Sequence, residues 1–257
     1  MNTIKSIWSI FLLIAIIFPV GNLSPAGTID PNIPDSKYIE YGKKFPCVVK
    51  ICGVEKNGDK FCASCVIIDN NHVLTAAHVV GDCDQCFVVT DSDTTYLISK
   101  IIIHKDFDKD FGMGDIALGY SKTNFDLSHY PKLYENKDEK GKTCAIAGFG
   151  ITGTFNTGAT ISDKNRRAGS NVVDRIYQDL LICDPSRRTS GEHTVLEFFI
   201  ASGDSGGGLF IDGKLAGINS CVMASGRSPR SKYDEESGHT RISKFIDWIN
   251  ENKTKVE

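Results

Sequence analysis

The sequence predicts an all-β fold closed by one C-terminal helix. Three observations carry this. Apolar runs are short, of strand length, and are separated by Gly-, Asn- and Asp-containing turns. A helical apolar period appears at the end of the chain, where Ile242, Phe245, Ile246 and Ile249 fall at i, i+3, i+4 and i+7. At 257 residues the chain fits an all-β double barrel as one folding unit.

Taken in order, residues 27–41 carry prolines and charges and read as an extended surface strap. Residues 45–52 are apolar, as a buried strand would be, and 55–60 form a hairpin turn before a strand over 61–69. Asp69-Asn70-Asn71 turns the chain into a short strand, 72–75. Strands follow at 87–90 and 96–104, with a charged, glycine-broken loop at 106–114 and another strand at 116–118. The polar stretch 122–142 joins two halves. The second half opens at 143–150. It continues through a charged loop at 163–167, a strand pair within 172–182, a loop at 185–193 and a strand at 195–200. Residues 209–218 form a hairpin around Asp212-Gly213. Residues 222–238 read as a solvated polar insertion.

Composition is that of an ordinary globular protein, with 41% hydrophobic and 24% charged residues. A net charge of −3 and no long basic stripe exclude nucleic acid as a partner. Lys5, the apolar run 7–18 and the small residues of Ser24-Pro25-Ala26 predict a secretory signal over 1–26, cleaved after Ala26. The apolar run is too short to span a bilayer, so no stable membrane insertion is expected after signal removal. Of the Asn-x-Ser/Thr sequons, Asn22 leaves with the signal and Asn252 remains as the glycan candidate. Nine cysteines fit an oxidising compartment. Cys62-x-x-Cys65 and Cys83-x-x-Cys86 match a zinc-site spacing, but His78 and a buried strand lie within that interval, and secretion favours disulfides. Antiparallel pairing of 47–52 with 62–65 would bring Cys52 toward Cys62 and Cys47 toward Cys65. Cys83 and Cys86 would pair together or reach a strand cysteine.

The chemistry concentrates at Gly203-Asp204-Ser205-Gly206-Gly207. Glycines allow a sharp turn at positive φ, which can aim successive N–H groups at a point beside the serine hydroxyl. A serine is a weak nucleophile unless a base and an orienting acid accompany it. His78 in Thr75-Ala76-Ala77-His78 and Asp115 in Gly114-Asp115-Ile116-Ala117-Leu118 supply them; Asp106, Asp108 and Asp110 are weaker competitors for the acid. With Gly148-Phe149-Gly150, these motifs make the chain resemble the trypsin/chymotrypsin-like serine peptidases over about 38–249. The opening Gly27-Thr28-Ile29 and the Gly238-His239-Thr240-Arg241 run look most like a secreted microbial-type branch.

The resemblance implies two six-stranded antiparallel β-barrels of chymotrypsin type, about 38–122 and 143–241, in a peptidase domain spanning 27–257. It implies a secreted, extracellular serine endopeptidase acting on protein or peptide substrates, with protein inhibitors as further partners and without metal or cofactor. His78, Asp115 and Ser205 would be the triad, and Gly203 and Ser205 the oxyanion hole. Phe199 would floor the specificity pocket, with Ser220 and Val222 in one wall and His239 as a further wall candidate. No acid on that floor means no strong preference for Arg or Lys. The sequence departs from the family at Gly208, where relatives carry proline, and at Val79, where they carry cysteine. It also lacks an Ile-Val-Gly-Gly start upstream of His78. Asp204, the acid before the nucleophile, is therefore expected to be satisfied without a cut, by a lysine or arginine side chain or by backbone N–H groups. The other source is an amine at Gly27 that folds inward. Two alternatives from other classes are a catalytically silent homologue acting as a protein-binding module, and a zinc-stabilised binding domain.

Overall fold

The computed structural model describes residues 27–108, 112–225 and 228–255. A two-residue strand β1 (Thr28–Ile29) and helix α1 (Asp35–Gly42) come first. The first half then contains β2 (Val48–Glu55), β3 (Lys60–Ile67), β4 (His72–Thr75), the short helix α2 (Ala77–Val80), β5 (Cys83–Val89), β6 (Thr95–Ile98), β7 (Lys100–Ile103) and β8 (Ala117–Tyr120). The second half opens with β9 (Thr143–Gly148), β10 (Thr152–Thr154), β11 (Gly158–Ile161), β12 (Arg167–Val172), β13 (Arg175–Tyr177) and β14 (Leu180–Cys183). It ends with β15 (Phe198–Phe199), β16 (Gly208–Ile211), β17 (Lys214–Met223) and β18 (Glu236–Arg241). A 3₁₀ turn at Ile242–Lys244 leads into helix α3 (Ile246–Lys253).

Strands β6-β5-β2-β3-β4-β8-β7 form one sheet and β12-β9-β16-β17-β18-β14-β13 another. The outer strands of each are consecutive in the chain. Only Ser99 separates β6 from β7, and its N–H donates to Tyr120 O at 2.8 Å. Likewise only residues 173–174 separate β12 from β13. Each outer pair is thus one bent strand shared by both edges, and each sheet closes on itself, which leaves no unpaired edge. This agrees with the six-stranded barrels expected. Along β3, Cys65 and Ile67 point into the first barrel with Val49, Ile51 and Val88, while Val66 packs between the barrels with Leu74, Leu118, Ile218 and Ile249. The period of two along a strand makes this division possible. Ile146, Leu181, Leu209 and Ala216 fill the second barrel. Helix α3 lies where its period placed it, with Ile249 buried and Phe245 nearly so.

The 27–41 reading needs correction. Residues 28–30 are buried, and β1 pairs parallel to β10 and antiparallel to β15. Residues 35–42 are helical rather than extended: Pro34 stands at the start with its φ already near the helical value, and Asp35 lies in the positively polarised first turn. Tyr38 is fully buried, its ring centroid 6.3 Å from that of Phe198. Arg167, read in sequence as part of a charged loop, is buried and grips Asp35 through two hydrogen bonds of 2.6 Å. It holds Asp163 as well, tying α1 to the second barrel. The 222–238 stretch is not simply solvated either, because Ser231 and Glu235 are buried.

Cysteine pairing follows register. β2 and β3 place Cys52 opposite Cys62, and these two are bonded. The same register sets Cys65 opposite Val49 and brings Cys47 O to accept from Ile67 N–H, so the expected approach of Cys47 to Cys65 does not occur. Cys47 packs between the barrels and Cys65 inside the first. Cys83 and Cys86 are bonded to each other. Burial raises the thiol of Cys47 to about 11, and raises that of Cys65 further. Unreduced peptide maps should therefore recover the 52–62 and 83–86 links, and native alkylation should leave Cys47 and Cys65 unmodified until the chain is denatured. A recovered 47–65 link would contradict this register. Asn252 is also unsuited to its expected modification, since it is buried and its amide nitrogen donates to Trp248 O at 2.8 Å.

Candidate active site

The site forms where the two barrels meet. β4 ends at Thr75, and α2 begins two residues later and carries His78. Asp115 stands just before β8, the neighbour of β4. Pairing of these strands therefore brings the imidazole to the carboxylate. His78 Nδ1 lies 2.7 Å from Asp115 Oδ2, and His78 N–H donates to Asp115 Oδ1 at 2.9 Å. Ser220, from β17 of the second barrel, donates its hydroxyl to the same Oδ2 at 2.5 Å. Asp115 is only 1% exposed. Burial alone would raise its carboxyl, but the hydrogen bonds and charge of His78, with the Ser220 hydroxyl, outweigh it and hold the group below the usual carboxylate value. The carboxylate bonded to His78 is that of Asp115 and not that of the competing Asp106 or Asp108, and Asp110 is outside the described residues. With Nδ1 held by Asp115, His78 Nε2 has no protein partner among the described residues.

Ser205 is brought alongside by its glycines. Gly206 has a φ of +83°, and a Cβ there would lie 2.1 Å from both Ser64 O and Thr75 Oγ1 and 3.1 Å from Ala76 N. The nucleophile turn thus abuts the entrance to α2 at a distance only glycine permits. Gly203 also has a positive φ, +90°. Neither Gly203 N–H nor Ser205 N–H finds an acceptor among the described residues, whereas Asp204, Gly206 and Gly207 all do. These two donors are the pair that the sequence reading expects to form an oxyanion hole. Ser64, which the sequence did not single out, braces them: its hydroxyl donates to Gly203 O and accepts from Phe149 N–H, both at 2.9 Å, and its N–H donates to Ser205 O.

Asp204 is fully buried and accepts three backbone N–H groups, from Ala201 at 2.8 Å, Gly150 at 2.8 Å and Gly27 at 2.9 Å. The close packing explains the Gly148-Phe149-Gly150 motif, since a Cβ at either glycine would meet the carboxylate within 2.5 Å. Among the described residues no lysine or arginine side chain bonds to Asp204. Burial pushes its carboxyl up to about 7, against the three N–H donors. Backbone donors reach Asp204, as one expectation had it, but they do not offset its burial. One of them is Gly27 itself, drawn inward where a surface strap was expected.

A cavity of about 490 Å³ opens beside Ser205, lined in part by Ile200, Ala201, Ser220 and Val222. Ser220 and Val222 take the wall positions expected. Phe199 does not line it. It pairs with Thr28 and is covered by β1, so the lining begins one residue later, at Ile200. His239 is likewise not in the wall. It is enclosed in β18, with Nδ1 2.9 Å from Asn219 Oδ1 and Nε2 3.0 Å from Ser237 Oγ, and burial lowers its pKa to about 3. Three of the four sulfurs that suggested zinc are engaged elsewhere, since Cys62, Cys83 and Cys86 are all in disulfides.

Comparison with known proteins agrees with this geometry. The family model described as Trypsin matches residues 39–249. Serine protease SSP1 of Scolopendra subspinipes is 26% identical over 239 residues, covering 82% of this chain and 80% of that protein. Mast cell protease 3 of Ovis aries is 26% identical over 255 residues, covering 90% and 92%. The solved structure of HL collagenase superposes with a TM-score of 0.67 at 20% identity, covering 91% of this chain and 99% of that one. These relatives are animal proteases, so the microbial-type branch suggested by the chain's opening is not supported. The chain belongs to the trypsin family and is a trypsin-like serine protease, a hydrolase of protein substrates.

Proposed function

We propose that the chain is a secreted serine endopeptidase in which Ser205 attacks the scissile carbonyl. His78 Nε2 accepts the serine proton and returns it to the leaving amine. Asp115 holds the imidazole with Nδ1 protonated and stabilises the imidazolium. The oxyanion develops toward Gly203 N–H and Ser205 N–H, where each donor contributes roughly 3 kcal/mol to the transition state. Water then repeats the attack on the acyl-enzyme. The observation that carries this reading is the Asp115–His78 pair, joined to a Ser205 turn whose two N–H groups have no acceptor among the described residues. No triad residue is lost, which weighs against the catalytically silent binding module.

Secretion rests on the signal over 1–26, which lies outside the described residues. Among the described residues no helix is long and apolar enough to cross a membrane. Cleavage after Ala26 would leave an amine at Gly27 N, 2.9 Å from Asp204 Oδ2, where it would supply the charge the buried carboxylate lacks. A fluorophosphonate probe should label the secreted protein once, and peptide mapping should place the label on Ser205. A protein that starts near Gly27, retains its fold and takes up no probe would refute the proposal.

A further inference from the structure

We infer that Arg230 is a specificity-determining residue, and that the cavity beside Ser205 selects an acidic side chain, glutamate or aspartate, on the acyl side of the scissile bond. This rests on Ser205 being the nucleophile and adds the substrate class to that reading. Ile151, Ala159, Ile200, Ala201 and Val222 give the cavity apolar walls; among the described residues, the rest of its lining is glycine, proline, hydroxyl residues, Cys221 and one charged residue, Arg230. No acid lines it. A basic substrate side chain would meet this cation, whereas an acidic one would pair with it.

The arginine is presented on a fixed piece of backbone. Its N–H donates to both carboxylate oxygens of the buried Glu235, at 3.2 and 3.0 Å. Its carbonyl accepts from Ala159 N–H at 3.2 Å, on the hairpin of β10 and β11. Gly158 makes that approach possible, because a Cβ there would lie 2.7 Å from Arg230 O. The segment is thus pinned from both sides, which gives a long side chain a defined origin at the cavity mouth.

Arg230 is exposed, and its guanidinium has no carboxylate partner among the described residues. The acids nearby are already committed. Glu235 accepts from the backbone of Arg230 and Lys232, Asp234 pairs with Arg187 at 3.6 Å, and Asp115 is enclosed with His78 and Ser220 on its carboxylate. Lys232, whose stem lies beside Gly158, adds a second positive charge to the segment. A guanidinium recognises a carboxylate through two parallel N–H donors, a match that an amide cannot reproduce.

The test uses the secreted protein and fluorogenic peptides identical except at the acyl-side residue, which is Glu, Asp, Gln, Leu or Lys. The expected kcat/KM for Glu exceeds that for Gln by about 30-fold, the scale of a charge-assisted pair. This ratio should fall with added salt because the arginine is exposed. In Arg230→Gln the Glu-to-Gln ratio should collapse to about one, and in Arg230→Glu the Lys peptide should overtake the Glu peptide. Fluorophosphonate labelling of each variant reports an intact site. Labelled protein with no Glu preference, or with a Glu preference that Arg230→Gln leaves unchanged, overturns the role of Arg230 alone. Protein that neither labels nor cleaves any peptide overturns the nucleophile assignment along with it.

Discussion

Replacing Ser205 with alanine is expected to lower kcat by about 10⁶-fold while leaving the fold and the thermal midpoint nearly unchanged. Triad members act as a unit, so removing the nucleophile removes almost everything the triad contributes. What survives is the pull of the oxyanion donors and substrate binding, roughly 10³- to 10⁴-fold over water. The fold should tolerate the change because Gly203, Gly206 and Ser64 shape the turn through backbone geometry, not through the Ser205 hydroxyl. His78→Ala should fall to a similar floor, and the double variant should be no worse than either single one. Kinetics with a sensitive peptide, beside a melting curve, measure this. A Ser205→Ala protein retaining a tenth of its activity would place the nucleophile elsewhere.

The second large effect concerns the start of the chain. A protein carrying extra residues ahead of Gly27 should lose about 100-fold in kcat/KM, and trimming back to Gly27 should restore it. Without an amine, Asp204 is a buried carboxylate held by three N–H groups and no cation. Leaving a buried charge unpaired costs on the order of 3 kcal/mol or more. The pH dependence has a definite sign. Its folded pKa of about 7 lies above the ordinary 3.8, so the folded state holds this proton more tightly than the unfolded chain does. That contribution is present at low pH and is lost as pH rises from 4 to 7, about 4 kcal/mol in all. In the trimmed chain the ammonium keeps Asp204 ionised across the same range. The difference in melting temperature between extended and trimmed protein should therefore widen from pH 5 to pH 8. Equal activity and parallel pH curves would show that the N–H groups suffice.

The candidate catalytic cluster was legible because each part sits in a short motif beside a strand, and strand pairing does the rest. His78 follows β4, Asp115 precedes β8, and those strands are neighbours. Gly206 was readable as a turn residue, although the contact that demands it, with Thr75 and Ser64, was not. Ser220 was read as pocket wall only; its bond to Asp115 depends on how the second barrel docks against the first, which no local pattern encodes. Phe199 failed because counting back from the nucleophile cannot register that β1 lies across it. Cys47 failed by a shift of two residues in a hairpin register. Helix α1 escaped notice because eight residues with a single fully buried aromatic give too little period to read, and Arg167, its anchor, is 132 residues away.

The bond from Gly27 to Asp204 spans 177 residues, most of the described chain. Strand pairings within the barrels, such as Ala145 with Phe210, already join distant segments, but this contact also requires β1 to thread between β10 and β15 of the second half. Contacts of such sequence separation carry the largest closure entropy and belong to the slow part of folding. During refolding, native-like strand content should therefore appear before catalytic competence does. The interval between them measures how long a nearly finished protein circulates without the ability to cut its neighbours.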